Sequence, residues 1–213
     1  MNYQILALDL DGTLTNSSKE ISEPTLKALI EIQEQGKKVV LASGRPTNGV
    51  APLAELLRLG DYGSYILFNG GRITNCQTKE IIYNKTLPMD CAKPIYDMVL
   101  EYKDQGLDLV TYTPDALLSG ICPNKYTELE SRINHMPIIR VDDFLSHIKE
   151  APNKFLITGD PAVISKIQKE IIAHFRSYLS VYCSDPFFLE IMPPGIDKAH
   201  SLLRLLTSSG LTA

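Results

Sequence analysis

The chain has 213 residues, 44% of them hydrophobic and 22% charged, and a net charge of −4. That is enough chain to bury one large core or two small ones. The longest basic run is Lys37-Lys38, which excludes the positive patch of a nucleic-acid binder, and no apolar stretch nears the roughly 20 residues that span a bilayer.

The apolar run Gln4 to Leu8 reads as a short buried strand over 4–10, leading into Asp9-Leu10-Asp11-Gly12-Thr13-Leu14. Strand side chains alternate, so Asp9 and Asp11 share a face and Leu10 points away. Two like charges so close raise each other's pKa unless a cation or donor intervenes. Asp-Gly is also a common turn signal. A turn alone has no use for paired carboxylates, whereas a site that binds Mg²⁺ and attacks a phosphate does. Because the N-terminus goes directly into this strand, no secretory signal is expected there.

Ser22-Glu23-Pro24 opens a helix with a cap and an early proline; Leu26, Leu29 and Ile30 form its stripe, and Gly36 closes it. Residues 38–42 give a second buried strand, ending at Ser43-Gly44-Arg45-Pro46, and a helix over 47–58 follows with Val50, Leu53 and Leu57 on one face. Residues 64–68 give a third strand, ending at Asn69-Gly70-Gly71. Alternating strands and helices with short links imply a parallel sheet whose functional loops lie at the strands' carboxyl ends.

The middle of the chain changes character. Ile73 and residues 80–83 predict a short antiparallel pair, then a helix near 89–104 carries Ile95, Met98, Val99 and Tyr102. Strands at 107–112 and 116–118, helix 124–134, strand 137–141 and a short helix near 142–149 follow. Strand 154–159 and helix 161–175 follow, in an α+β module large enough for its own core, and strands near 179–184 and 187–192 return the chain. The expected division is 1–84 for the first part of an α/β core, 85–186 for an inserted α+β domain, and 187–213 for the rest of the core. Gly159-Asp160-Pro161 imitates an acidic loop, but Asp160 suits the N-cap of the next helix and is read as structural.

Three polar points stand at strand or helix ends. Ser43 with Gly44 can hold a phosphate oxygen, or simply turn the chain. Lys198, in Pro194-Gly195-Ile196-Asp197-Lys198, precedes an apolar helix; a lysine is unfavourable at a helix start unless it offsets nearby negative charge. Asn69 belongs to a hairpin signal and to the rim of the same site, while Arg45 is either a substrate contact or a surface charge. Cys76, Cys91, Cys122 and Cys183 make no C-x-x-C pair, and His135, His147, His174 and His200 show no ligand spacing. Zinc and disulfide readings are therefore poor, and a reducing cytoplasm is the expected setting.

Together, DLDGTL at 9–14, LASGRP at 41–46, FNGG at 68–71 and PPGIDKAHSL at 193–202 resemble the haloacid-dehalogenase (HAD) superfamily of phosphotransferases. More narrowly, the chain is similar to the Cof-type sugar-phosphatase branch, in which an α+β cap is inserted after the third strand of a Rossmann-like core. The resemblance implies Asp9 as nucleophile and Asp11 as general acid and base, with Mg²⁺ bound through the Asp9 carboxylate and the Asp11 carbonyl. It implies Ser43, Gly44, Lys198, Gly12 and Thr13 around the phosphate, and Arg45 and Asn69 towards the substrate. The cap would close over the site and read the leaving group. Sugar phosphates, pyridoxal phosphate and nucleotide-like phosphates all fit this reading. A phosphomutase, or a phospholigand-binding protein without turnover, remains an alternative. Oligomeric state is not legible.

The family's fourth motif, a Gly-Asp-x-x-x-Asp loop completing the metal site, should follow Lys198 by a few tens of residues, and Ala213 comes first. The same segment would supply strands beside the one carrying Asp9. The expectation is a shortened chain with an unpaired apolar edge on that strand.

Overall fold

The computed structural model describes residues 3–63 and 65–211, so Ser64, expected to open the third strand, lies outside the described residues. The chain divides into two compact units, one running through Asn84 and resuming at Ile196, the other spanning Lys85–Gly195.

The first unit is an α/β layer structure built on a five-stranded sheet in the order β1-β2-β3-β4-β5. Strands β1 (Ile5–Asp9), β2 (Lys38–Ser43) and β3 (Tyr65–Phe68) are parallel. Asp9 lies opposite Ala42, and Ser43 opposite Phe68, so the polar ends of three strands come to one edge. The expected parallel sheet is extended by the antiparallel strands β4 (Arg72–Asn75) and β5 (Ile81–Asn84).

Helix α1 (Glu23–Glu34) begins where expected, with the Ser22 hydroxyl accepting from the Thr25 N–H and proline in the first turn. Helix α2 (Thr47–Leu56) and the single turn α3 (Leu59–Tyr62) follow β2. One core cluster joins Leu29, Val39, Leu41, Val50 and Leu57; a second joins Val40, Ala42 and Ile73 to Leu205 of α8 (Lys198–Ser208). The alternation Val39/Val40/Leu41 thus feeds both faces of β2. Each such side chain contributes about 1.5–3 kcal/mol by leaving water.

β1 carries the unpaired apolar edge expected for it, and is not the buried strand that its apolar run alone implies. It pairs only with β2, and Leu6 and Ala7 are exposed. Apolar sequence predicts burial only where a neighbour exists on each side, and among the described residues β1 has one.

The second unit is an α+β structure on a six-stranded sheet in the order β10-β11-β9-β6-β7-β8. Its strands are β6 (Asp108–Tyr112), β7 (Leu117–Ser119), β8 (Ile138–Arg140), β9 (Phe155–Thr158), β10 (Ser180–Asp185) and β11 (Phe188–Met192). Only the β7–β8 pair is parallel. Its helices are α4 (Ala92–Leu100), α5 (Lys125–Asn134), the turn α6 (Phe144–His147) and α7 (Pro161–Phe175). The long helix expected over 89–104 is three pieces: 3₁₀ turns at Met89–Cys91 and Lys103–Gln105 flank α4, and Gly106 ends the run in the left-handed region. Asp160 caps α7 by accepting from the Ala162 N–H, as the structural reading of that loop requires.

The expected boundary at 186/187 falls inside the β10–β11 hairpin. β11 pairs with β9 as well as β10, and all its residues are buried, so the second unit continues to Gly195. Among the described residues no helix is long and apolar enough to cross a membrane.

Candidate active site

Asp9 ends β1, one residue short of the expected strand, and beyond it Leu10 turns into the core while Asp11 stays exposed. The loop beyond is tied to the Leu10 carbonyl, which accepts from the Thr15 N–H and the Thr15 hydroxyl, both at 2.9 Å. Gly12 turns the chain at φ +79°, with open space around the position of a Cβ; backbone conformation, not room, selects glycine there.

Lys198 comes to this carboxyl edge from far along the chain. Its ammonium pairs with Asp9 Oδ1. It is the first residue of α8, whose N-cap Asp197 accepts from the His200 N–H at 2.8 Å. That backbone bond, helped by the His200 ring, holds the Asp197 carboxyl below its usual range. A cation in the first turn opposes the helix dipole, and the Asp9 carboxylate compensates. The approach of α8 depends on Gly70. This residue sits at φ +74°, and a Cβ there would lie 2.5 Å from the Asp197 carbonyl carbon. The Ser201 hydroxyl also donates to the Gly70 carbonyl. Gly70→Ala should therefore cost roughly 2–4 kcal/mol through left-handed strain plus displacement of the α8 start. Urea denaturation checks this, with a midpoint equal to wild type as the contrary result.

Ser43 and Arg45 form the second side of the edge. Ser43 is buried; its hydroxyl accepts from the Arg45 N–H at 3.1 Å, and its carbonyl accepts from the Asn69 N–H at 2.7 Å. Gly44 lets Asn69 approach, since a Cβ at 44 would lie 2.9 Å from Asn69 Oδ1. Arg45 is no surface charge. Its side chain is 10% exposed, and its guanidinium forks onto Asp11, with Nη2 2.6 Å from Oδ1 and Nε 3.2 Å from Oδ2. Lys19, which no sequence pattern singles out, adds its ammonium to Asp11 Oδ1 at 2.7 Å. Burial works to raise the Asp11 carboxyl, but the bonds from Arg45 and Lys19 prevail and hold it below the usual carboxylate range.

The structure thus brings together Asp9 with Lys198, Asp11 with Arg45, and Ser43 with Gly44 and Asn69. Gly12 and Thr13 stand exposed on the turn, and no described hydrogen bond or ion pair ties them to the other candidates. Thiol chemistry has no support from the buried cysteines. Burial pushes the Cys76 thiol up to about 11 and the Cys91 thiol up to about 12, leaving both protonated.

Comparison with known proteins shows the family. The family of haloacid dehalogenase-like hydrolases matches residues 6–212. The protein named "Putative phosphatase M6_Spy0533", from Streptococcus pyogenes serotype M6, is 31% identical over 99% of this chain and 78% of its own length. A haloacid dehalogenase-like hydrolase from Bacteroides thetaiotaomicron shares 40% identity and superposes with a TM-score of 0.93, covering 99% of this chain and 79% of its own. The sugar phosphatase BT4131 shares the fold at a TM-score of 0.77 and 18% identity, over 98% of this chain and 77% of its own. The carboxylate pair, its cations and the matched length converge: the chain belongs to the haloacid dehalogenase-like hydrolases.

Proposed function

We propose that the protein is a Mg²⁺-dependent phosphatase of small phosphorylated metabolites that works through an aspartyl-phosphate on Asp9. The observation that carries this reading is the paired carboxylates at the end of β1, each already facing a cation: Asp9 with Lys198, Asp11 with Arg45. The relative named as a phosphatase and the sugar phosphatase of the same fold support phosphate monoesters as the substrate class.

In this mechanism an Asp9 oxygen attacks phosphorus, and the bond from phosphorus to the leaving oxygen breaks. Asp11 gives that oxygen a proton. Asp11 then takes a proton from the water that attacks the aspartyl-phosphate, which frees Asp9 and releases inorganic phosphate. The bonds from Arg45 and Lys19 favour the ionised carboxylate, the form that accepts this proton, while the first step draws on the protonated form. Lys198, the Ser43 hydroxyl and the backbone around Gly44, Gly12 and Thr13 hold the phosphoryl oxygens as negative charge redistributes. Arg45 and Asn69 line the substrate side.

The residues suit Mg²⁺. The Asp9 carboxylate and the Asp11 carbonyl would hold the ion together with water and the substrate's own phosphate, since among the described residues no three His, Cys, Asp or Glu side chains converge. That hard, water-rich set is what Mg²⁺ prefers. When bound, the ion supplies charge neutralisation and alignment of the phosphate with Asp9. We read the second unit as the family's cap domain.

The test is phosphate release from para-nitrophenyl phosphate and a panel of sugar phosphates, with Mg²⁺, after chelation and after Mg²⁺ is restored. Release that stops on chelation and returns with Mg²⁺ is expected. Turnover indifferent to chelation would remove the metal from the mechanism. Transfer to a second sugar without free phosphate would indicate a mutase.

A further inference from the structure

Lys19 meets Asp11 by a route that a solvating surface lysine would not need. It sits in a tight turn after Thr15, where Asn16 organises the backbone. The Asn16 side-chain oxygen accepts from the N–H groups of Ser18 (2.9 Å) and Glu20 (3.0 Å), and the Asn16 carbonyl accepts from the Lys19 N–H at 3.0 Å. Lys19 itself is left-handed, at φ 64°, a conformation that glycine or asparagine adopts with less strain. The ammonium ends 2.7 Å from Asp11 Oδ1, the same oxygen that Arg45 Nη2 reaches at 2.6 Å. Arg45 is fixed by burial and by its own fork. Asp11 is therefore gripped from two directions, one cation arriving from the β2 end and the other from the turn after Thr15.

We propose that Lys19 is a positioning residue: with Arg45 it holds the Asp11 carboxylate in one orientation, and so sets how well Asp11 is aimed at the reacting oxygens without itself binding substrate. The proposal rests on the role given to Asp11 above. A carboxylate free to rotate spends less time in the geometry that proton transfer needs, so the loss falls on turnover and not on affinity. A second cation on the same oxygen narrows that rotation. Arginine at 19 keeps the charge and the reach; glutamine keeps neither the charge nor the strong bond.

The experiment compares wild type, Lys19→Gln and Lys19→Arg in steady-state kinetics and in a spectrum that resolves lysine ammonium groups. Lys19→Gln should lower kcat about tenfold with KM changed by less than about twofold, and Lys19→Arg should restore at least about half of the wild-type kcat. Unchanged kcat in Lys19→Gln overturns the proposal. So does a raised KM with intact kcat, which would make Lys19 a substrate ligand. If wild type releases no phosphate from any substrate, the phosphatase reading fails, and the spectrum still decides the grip on Asp11. The Lys19 ammonium nitrogen resonance should shift in Asp11→Asn; a resonance unmoved by that substitution overturns the proposal.

Discussion

Asp9→Asn is expected to lower turnover at least about 10³-fold, a loss of roughly 4 kcal/mol of transition-state stabilisation or more. The amide is a poor nucleophile, and the neighbouring carboxylate, Asp11, is held by Arg45 and Lys19. The substitution should hardly touch the fold. The Asp9–Lys198 pair is about two-fifths exposed on both sides, and ion pairs of that exposure are worth under about 1 kcal/mol. A variant that melts like wild type yet releases no phosphate therefore reports chemistry. Mass spectrometry of wild type quenched in acid during turnover should find one phosphoryl group on the peptide carrying Asp9, and none in Asp9→Asn. Activity in the variant within a few-fold of wild type would end the covalent mechanism.

What could be seen of this site in the sequence was local. Asp9 and Asp11 are set by strand alternation, and Lys198 stands at its helix start because Asp197 caps α8. The Ser22 and Asp160 caps were legible for the same reason, being a side chain beside the N–H groups it accepts from. Who faces whom was not local. Lys198 reaches Asp9 across 189 positions, and only the resemblance to a known family put the two together. Arg45 could be read as substrate contact or surface charge until the fold placed its fork on Asp11. Lys19 was missed because a lysine in a polar turn carries no periodicity; a left-handed lysine leaves no mark in the sequence. The apolar run in β1 suggested burial, but a sheet edge is a property of neighbours. The same holds for β11, whose apolar residues fit either unit until its pairing with β9 assigned it to the second.

Asp108→Ala should destabilise the second unit strongly, at roughly 2–4 kcal/mol. Asp108 opens β6 with no exposed surface, a charge inside the apolar run Leu107-Asp108-Leu109-Val110. Its Oδ1 accepts from the N–H groups of Ile121 and Cys122, both at 3.1 Å, and from the Ser119 hydroxyl at 2.9 Å. Its Oδ2 accepts from Ser119 at 2.8 Å and from Thr127 at 3.0 Å. Thr127 also contacts the Thr158 hydroxyl at 2.8 Å, while Asn124 donates to the Thr158 carbonyl at 3.0 Å. One carboxylate thus ties β6, β7, the loop into α5 and β9. Alanine would strand the buried Ile121 N–H, at about 1–3 kcal/mol, and take the acceptor from the Cys122 N–H, while the hydroxyls can seek other acceptors. Asp108→Asn should cost less than alanine but still destabilise, because its NH₂ would face donors. Burial raises the Asp108 carboxyl above its ordinary value even against these bonds. The folded state then binds the proton more tightly than the unfolded state, so this group's contribution falls as pH rises from the ordinary carboxylate range through the raised value. The stability gap between wild type and Asp108→Ala should therefore narrow from acid towards neutral pH. Hydrogen exchange resolves the effect by unit. Amides of β6, β7 and β9 should lose protection in Asp108→Ala while those of β2 keep theirs, and equal protection in both proteins would show that this network carries little of the second unit's stability.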